Sequence, residues 1–213
     1  MYGIRGNNTL NLTILGKVMN LSEANLNTWI NKPECSEASP NRIYMVSHEH
    51  SDFWEKTHYG FQYHTGHAYG LETESDFTFQ VRVKADFRFL YDQAGIFIRG
   101  AETTWIKAGI EFNDGHPSIG CVVTDNNSDW STGIFPGNAN DFWMRATSKN
   151  NVIRIQYSTD GLHWPLLRLC TWPGTQRKFI GVMCCSPKSK GLAAEFTELL
   201  LTAPYDKDLH DLS

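Results

Sequence analysis

The sequence predicts an all-β fold, a two-sheet antiparallel jelly-roll sandwich, on three observations. Apolar and polar residues alternate in segment after segment, turn-forming residues separate the segments, and hardly any stretch sustains a 3.6-residue period. With 213 residues, 41% of them hydrophobic, the chain can bury one sizeable core, so a single domain is expected.

The elements follow in order. Residues 1–18 carry only a broken apolar run (Leu10, Leu12, Ile14, Leu15), make a poor secretory signal, and are expected to be an N-terminal extension of uncertain order. The jelly-roll domain is placed at 19–203, opening at Met19, and 204–213 is expected to be a loose, charged C-terminal tail. The one helix candidate is SEANLN, with Ser22 as its N-cap. From Phe77 the pattern is clean: Phe77, Phe79, Val81, Val83 and Ala85 share one face, and Thr78, Gln80, Arg82 and Lys84 the other, as in a half-buried antiparallel strand. QAGIFIRG, TWIKAGIEF, SIGCVVTD, DFWMRATS, NVIRIQYS, KFIGVMCC and AAEFTELLL repeat it. Asn113-Asp114-Gly115, Pro136-Gly137-Asn138, Lys149-Asn150-Asn151, Thr159-Asp160-Gly161 and Pro173-Gly174 mark turns. The clusters 52–67 and 124–133 are read as loops.

Several function classes are excluded. A net charge of −4 without any Lys/Arg run speaks against nucleic acid and anionic membranes, which require clustered positive charge. No window approaches the length of a membrane span. Five cysteines without CxxC spacing read as reduced thiols, with Cys184 and Cys185 on opposite strand faces. His48-Glu49-His50 and His64-x-x-His67 lack further ligands at a recognisable spacing, so neither metal nor cofactor is expected. No nucleophile elbow or cysteine nucleophile signature is present, and the Glu111 strand turns only one acid toward a cleft, so no catalytic residues are assigned.

What remains is a polar face. If Ala94, Ile96 and Ile98, and Ile106, Ala108, Ile110 and Phe112, face the core, then Gln93, Phe97 and Arg99, and Trp105, Lys107 and Glu111, face away from it. Gly95 and Gly109 between them are expected to let something approach the backbone. The face is read as a concave groove that binds a ligand, rimmed by the aromatic clusters DFWEKTHYGFQYHTGH and TDNNSDWSTG. Its candidate residues are Tyr59, Tyr91, Gln93, Arg99, Trp105, Lys107, Glu111, Asp129 and Trp130. Four residues apart on one strand, Lys107 and Glu111 are expected to reach neighbouring strands or a ligand; replacing Lys107 is expected to leave the melting point nearly unchanged if the face is functional, and to cost about 3–5 kcal/mol if it is structural and partly buried.

DFWEKTHYGF, YDQAGIFIR, WIKAGIEF, VVTDNNSDWS, STDGLHW and GVMCCSP, in this order between about Leu21 and Leu201, resemble a family of jelly-roll proteins in the concanavalin A-like lectin/glucanase superfamily, the relatives of the regulation-of-enolase protein. The resemblance implies a concanavalin A-like double sheet in a single-domain, cytoplasmic protein and carries no reaction over. Two functions are expected: non-catalytic binding of a carbohydrate or sugar-like metabolite, or interaction with a metabolic enzyme of the enolase type. A carbohydrate-active enzyme stands third.

Overall fold

The structure, a computed structural model, describes residues 27–213. The N-terminal extension, the Met19 boundary and the Ser22 helix candidate lie outside the described residues. Sixteen strands follow: β1 (Thr28–Ile30), β2 (Ser36–Ser39), β3 (Arg42–Val46), β4 (Phe53–Glu55), β5 (Gln62–His64), β6 (His67–Thr73), β7 (Phe77–Ala85) and β8 (Gln93–Ala101) form the first half. The second half comprises β9 (Thr104–Asn113), β10 (His116–Asp125), β11 (Ser128–Ile134), β12 (Asp141–Lys149), β13 (Val152–Ser158), β14 (Leu166–Thr171), β15 (Lys178–Cys185) and β16 (Ala193–Thr202). No helix among the described residues is long and apolar enough to cross a membrane.

Two seven-stranded antiparallel sheets form the sandwich, in the orders β1-β6-β15-β8-β9-β10-β11 and β14-β13-β12-β7-β16-β3-β2. Alternation decides which side chains meet. Ala94, Ile96, Ile98, Ile106, Ala108 and Ile110 of the first sheet bury against Phe79, Val81, Phe142, Ile153 and Phe196 of the second, as the sequence pattern requires. The turns behave likewise. Asp114 and Gly115 at φ 50° and 84° close β9 on β10, and Asn150 and Asn151 at 51° and 63° close β12 on β13, both central residues of each pair being left-handed, as a tight hairpin demands.

Three expectations are corrected. The cluster 52–67 is not a loop: β4 and β5 pair Phe53 with His64 and Glu55 with Gln62. Ser128–Ile134 is likewise a strand, hidden from pattern reading because it lies at the sheet edge and is exposed along nearly its whole length. The C-terminal tail is not loose. Tyr205 N donates to Thr78 Oγ1 at 2.9 Å, Trp164 N to Leu212 O at 2.7 Å, and the Arg154 guanidinium to the carbonyls of Lys207 and Asp208, so the tail lies on the outer face of the second sheet.

Candidate functional site

On the outer face of the first sheet β8 and β9 pair Gln93 opposite Glu111 and Phe97 opposite Lys107, with Gly95 opposite Gly109 between these pairs. The two glycines let the neighbouring strands lie close. A Cβ on Gly95 would lie 2.0 Å from Ala108 O and one on Gly109 2.1 Å from Ala94 O, so it is the neighbouring strand that comes close.

The β4–β5 hairpin covers the part of this face around Phe97 and Trp105 and divides it in two. Phe53 stacks on Phe97 with centroids 4.3 Å apart and sits 6.1 Å from Trp105, and Ala68, Val122, Phe179, Met183 and Cys185 complete a second small core. Gly66 is required here, since a Cβ would meet the Phe53 ring at 2.3 Å and Cys185 Sγ at 2.7 Å. The adjacent cysteines take opposite sides, Cys184 in the inter-sheet core and Cys185 in this one. Beyond the hairpin the face opens into a cavity of about 300 Å³, at the small end of ligand sites, with Gln93, Lys107 and Glu111 on its floor. Trp54, Tyr59, Phe61, Tyr63 and Trp130 form an aromatic wall, and His50, Leu90, Tyr91 and Lys188 stand on the other side.

Asp52 ties hairpin to floor. Its Oδ1 accepts the Phe53 N–H at 2.8 Å and receives Lys107 Nζ, also at 2.8 Å. Its backbone carbonyl takes the N–H groups of Thr65 and Gly66, closing the hairpin base. Burial works against the Lys107 ammonium, yet Asp52, Cys185 and Glu111 together outweigh it and Lys107 ends above its ordinary pKa. Glu111 is in the reverse position. Burial pushes its carboxyl up to about 7 against the pull of Lys107, and its only hydrogen-bond donor among the described residues is Asn113 Nδ2, at 3.4 Å.

The rim is held in unusual backbone. His50, Lys56, His58 and Tyr91 have φ of 61°, 54°, 64° and 65°, and all four lie in the segments that flank the cavity. Asp92, itself buried, holds the Tyr91 loop: Oδ2 accepts the N–H groups of Arg88 and Phe89, and Oδ1 the Ser189 hydroxyl. Tyr91 lies near Tyr59 across the cavity, and the interaction between the two phenols, with burial, raises that of Tyr91 to about 12.

The candidate residues are thus divided. Tyr59, Tyr91, Gln93, Lys107, Glu111 and Trp130 line the cavity. Trp105 does not: it is 1% exposed under the hairpin, its indole Nε1 without a partner, in a closed core where the sequence reading put an open groove. Arg99 is half-buried at the far end of β8 opposite Trp105, and Asp129 points away to pair with Arg168 of β14 at 3.1 Å. Asp52, Trp54, Phe61 and Tyr63 were missed as site residues. The signal for a cover was present: QAGIFI and KFIGVMCC are apolar on both faces, as strands buried on both sides are. Three histidines of the two suspected ligand pairs, His48, His64 and His67, serve the scaffold, and His50 lines the cavity. His67 Nδ1 donates to Asn31 O at 2.5 Å and its Nε2 accepts the His48 N–H at 3.0 Å, while His64 Nε2 sits 3.1 Å from the Glu55 carboxylate.

Fold and cavity together define the class: an antiparallel jelly-roll sandwich with a small aromatic-walled cavity on the outer face of one sheet. The chain belongs to the family described as "Protein of unknown function (DUF1349)", which matches residues 29–204. "Regulation of enolase protein 1" of Saccharomyces cerevisiae is 46% identical over 192 residues, covering 90% of this chain and 97% of that protein. The crystal structure of a functionally unknown protein from Saccharomyces cerevisiae superposes with a TM-score of 0.83 at 44% identity, over 88% of this chain and all of that one. The GH43 protein BlXynB of Bacillus licheniformis, at 12% identity, shares the fold alone, with a TM-score of 0.59 over 77% of this chain and 33% of its own.

Proposed function

We propose that the protein is a non-catalytic binding domain whose cavity takes a carbohydrate or sugar-like metabolite. One observation carries the reading: an aromatic wall of Trp54, Tyr59, Phe61, Tyr63 and Trp130 faces a hydrogen-bonding floor of Gln93, Lys107 and Glu111 in a space of about 300 Å³. Aromatic faces pack on the C–H faces of a sugar ring while the floor serves its hydroxyls, and 300 Å³ suits one ring. Trp54 and Trp130 lie edge to face at 6.4 Å and report on occupancy through their fluorescence. Titration with a panel of neutral monosaccharides, followed by tryptophan emission and calorimetry, is expected to show saturable binding that Trp130→Ala weakens. Absence of binding to the whole panel would overturn the reading.

A second reading has its own support in the relative named "Regulation of enolase protein 1". In it the protein acts on an enolase-type metabolic enzyme, docking through the exposed rim of Tyr59, Phe61, Tyr63, Phe89 and Leu90. Sedimentation of the purified chain with purified enolase tests it directly, and two non-interacting species would remove it.

A further inference from the structure

The charges on the cavity floor do not cancel. Lys107 is committed to Asp52 at 2.8 Å, and no cation among the described residues lies within salt-bridge distance of Glu111. Tyr91 carries no charge, and Asp114, which also acts on Glu111, adds negative charge. Lys188 and His50 stand at the rim, exposed to water that screens them. Above the acid are the rings of Trp54, Tyr59, Phe61, Tyr63 and Trp130, whose π faces attract cations.

A half-buried acid that shares the floor's one cation with Asp52 and has no ion pair of its own, at the base of an aromatic wall, is the negative half of a cation site. We propose that the cavity's ligand carries a cationic amine, which makes it an amino sugar in the sugar-binding reading above, its ammonium seated on Glu111 and its ring against the aromatic wall. The proposal rests on that reading for the sugar and on the acid without an ion pair of its own for the charge. Burial raises the carboxyl pKa against the pull of Lys107, and an arriving ammonium would lower it again and release the proton.

Calorimetric titration of the full chain at neutral pH with D-glucosamine, D-glucose, choline and dimethylbutanol, the neutral carbon isostere of choline, separates the two parts. Glucosamine is expected to bind about fivefold or more tightly than glucose, and choline to bind where its isostere does not. Both margins are expected to vanish in Glu111→Gln, its fold checked by melting. Equal affinity for glucosamine and glucose in the wild type overturns the amine assignment and leaves the sugar reading standing, with no need of the variant. A margin that survives in folded Glu111→Gln overturns it as well. Choline binding with no sugar bound removes the sugar reading and keeps the cation site; no binding of any of the four overturns both.

Discussion

Lys107 shows how far one residue's surroundings change what its loss costs. Its side chain is 4% exposed and that of Asp52 13%, so the ion pair is buried, and the sequence-based expectation of an unchanged melting point gives way to that of a loss. Lys107→Met strands the Asp52 carboxylate, and chemical denaturation is expected to show a loss of about 3–5 kcal/mol. Adding Asp52→Asn, which keeps an acceptor for the Phe53 N–H, is expected to restore part of it. A single-variant loss under about 1 kcal/mol would mean that water reaches the pair. Glu111 brings a pH dependence of definite sign. Its carboxyl is raised from 4.5 to about 7, so the folded state keeps a proton that the unfolded chain has lost; this stability is fully present below 4.5 and disappears as the pH rises to about 7. At roughly 1.4 kcal/mol per pH unit the span is about 3 kcal/mol. His67 opposes it: burial lowers its pKa below 6.5, so its contribution is present above 6.5 and lost as the pH falls. The difference between wild type and Glu111→Gln isolates the first effect, and the variant is expected to lose less stability than wild type between pH 4.5 and 7. Parallel profiles would mean that the carboxyl is not held neutral.

Elements differ in how much of themselves they show in sequence. β8, β9, β12 and β13 were legible because each turns alternate residues into the inter-sheet core, and β9, β12 and β13 end at a glycine or asparagine turn. β4 and β5 were not, because three residues hold no period. The missed hairpin accounts for the error at Trp105: alternation placed this residue off the main core correctly, but which off-core residues are covered depends on a contact between segments some fifty residues apart. Cavity residues Gln93, Lys107 and Glu111 lie past the hairpin's end on the same face, and so the site was only partly recovered. The glycines allow a test at this scale. Gly109→Ala would put a Cβ 2.1 Å from Ala94 O, whereas a Cβ at Gly133 on edge strand β11 meets nothing within 4 Å. The first change is expected to cost at least about 2–3 kcal/mol, the second to be neutral or stabilising by up to about 1 kcal/mol. Similar melting points for the two variants would show that β8 and β9 can move apart.

Across the whole molecule, each sheet has a segment of the chain laid on its outer face: the β4–β5 hairpin on the first, the tail after β16 on the second. The tail covers polar rather than apolar surface. Arg145 lies 3.7 Å over the Trp164 ring and 5.1 Å from that of Tyr205, and Arg154 donates to the carbonyls of Lys207 and Asp208, with no carboxylate in ion-pair distance of either arginine among the described residues. Burial of the Arg145 guanidinium without an acid brings its pKa down to about 10. Backbone carbonyls serve Arg154, and Gln80 Oε1 at 3.1 and 3.0 Å serves Arg145, where carboxylates serve Arg82, which pairs with Asp141 and Glu198. Truncation after Pro204 removes the carbonyl acceptors, the Tyr205 bond to Thr78 and the Leu212 bond to Trp164. Water can solvate the exposed guanidiniums, so each lost bond counts at its net value near 1 kcal/mol, and a total of about 2–4 kcal/mol follows, a fall in Tm of roughly 5–12 °C. Because the cavity lies on the other sheet, ligand titrations that hold for the full chain are expected to hold for the folded truncated one. An unchanged Tm would mean that the tail contributes nothing to the sandwich, and a lost cavity affinity with the fold intact would mean that the two outer faces are coupled through the core.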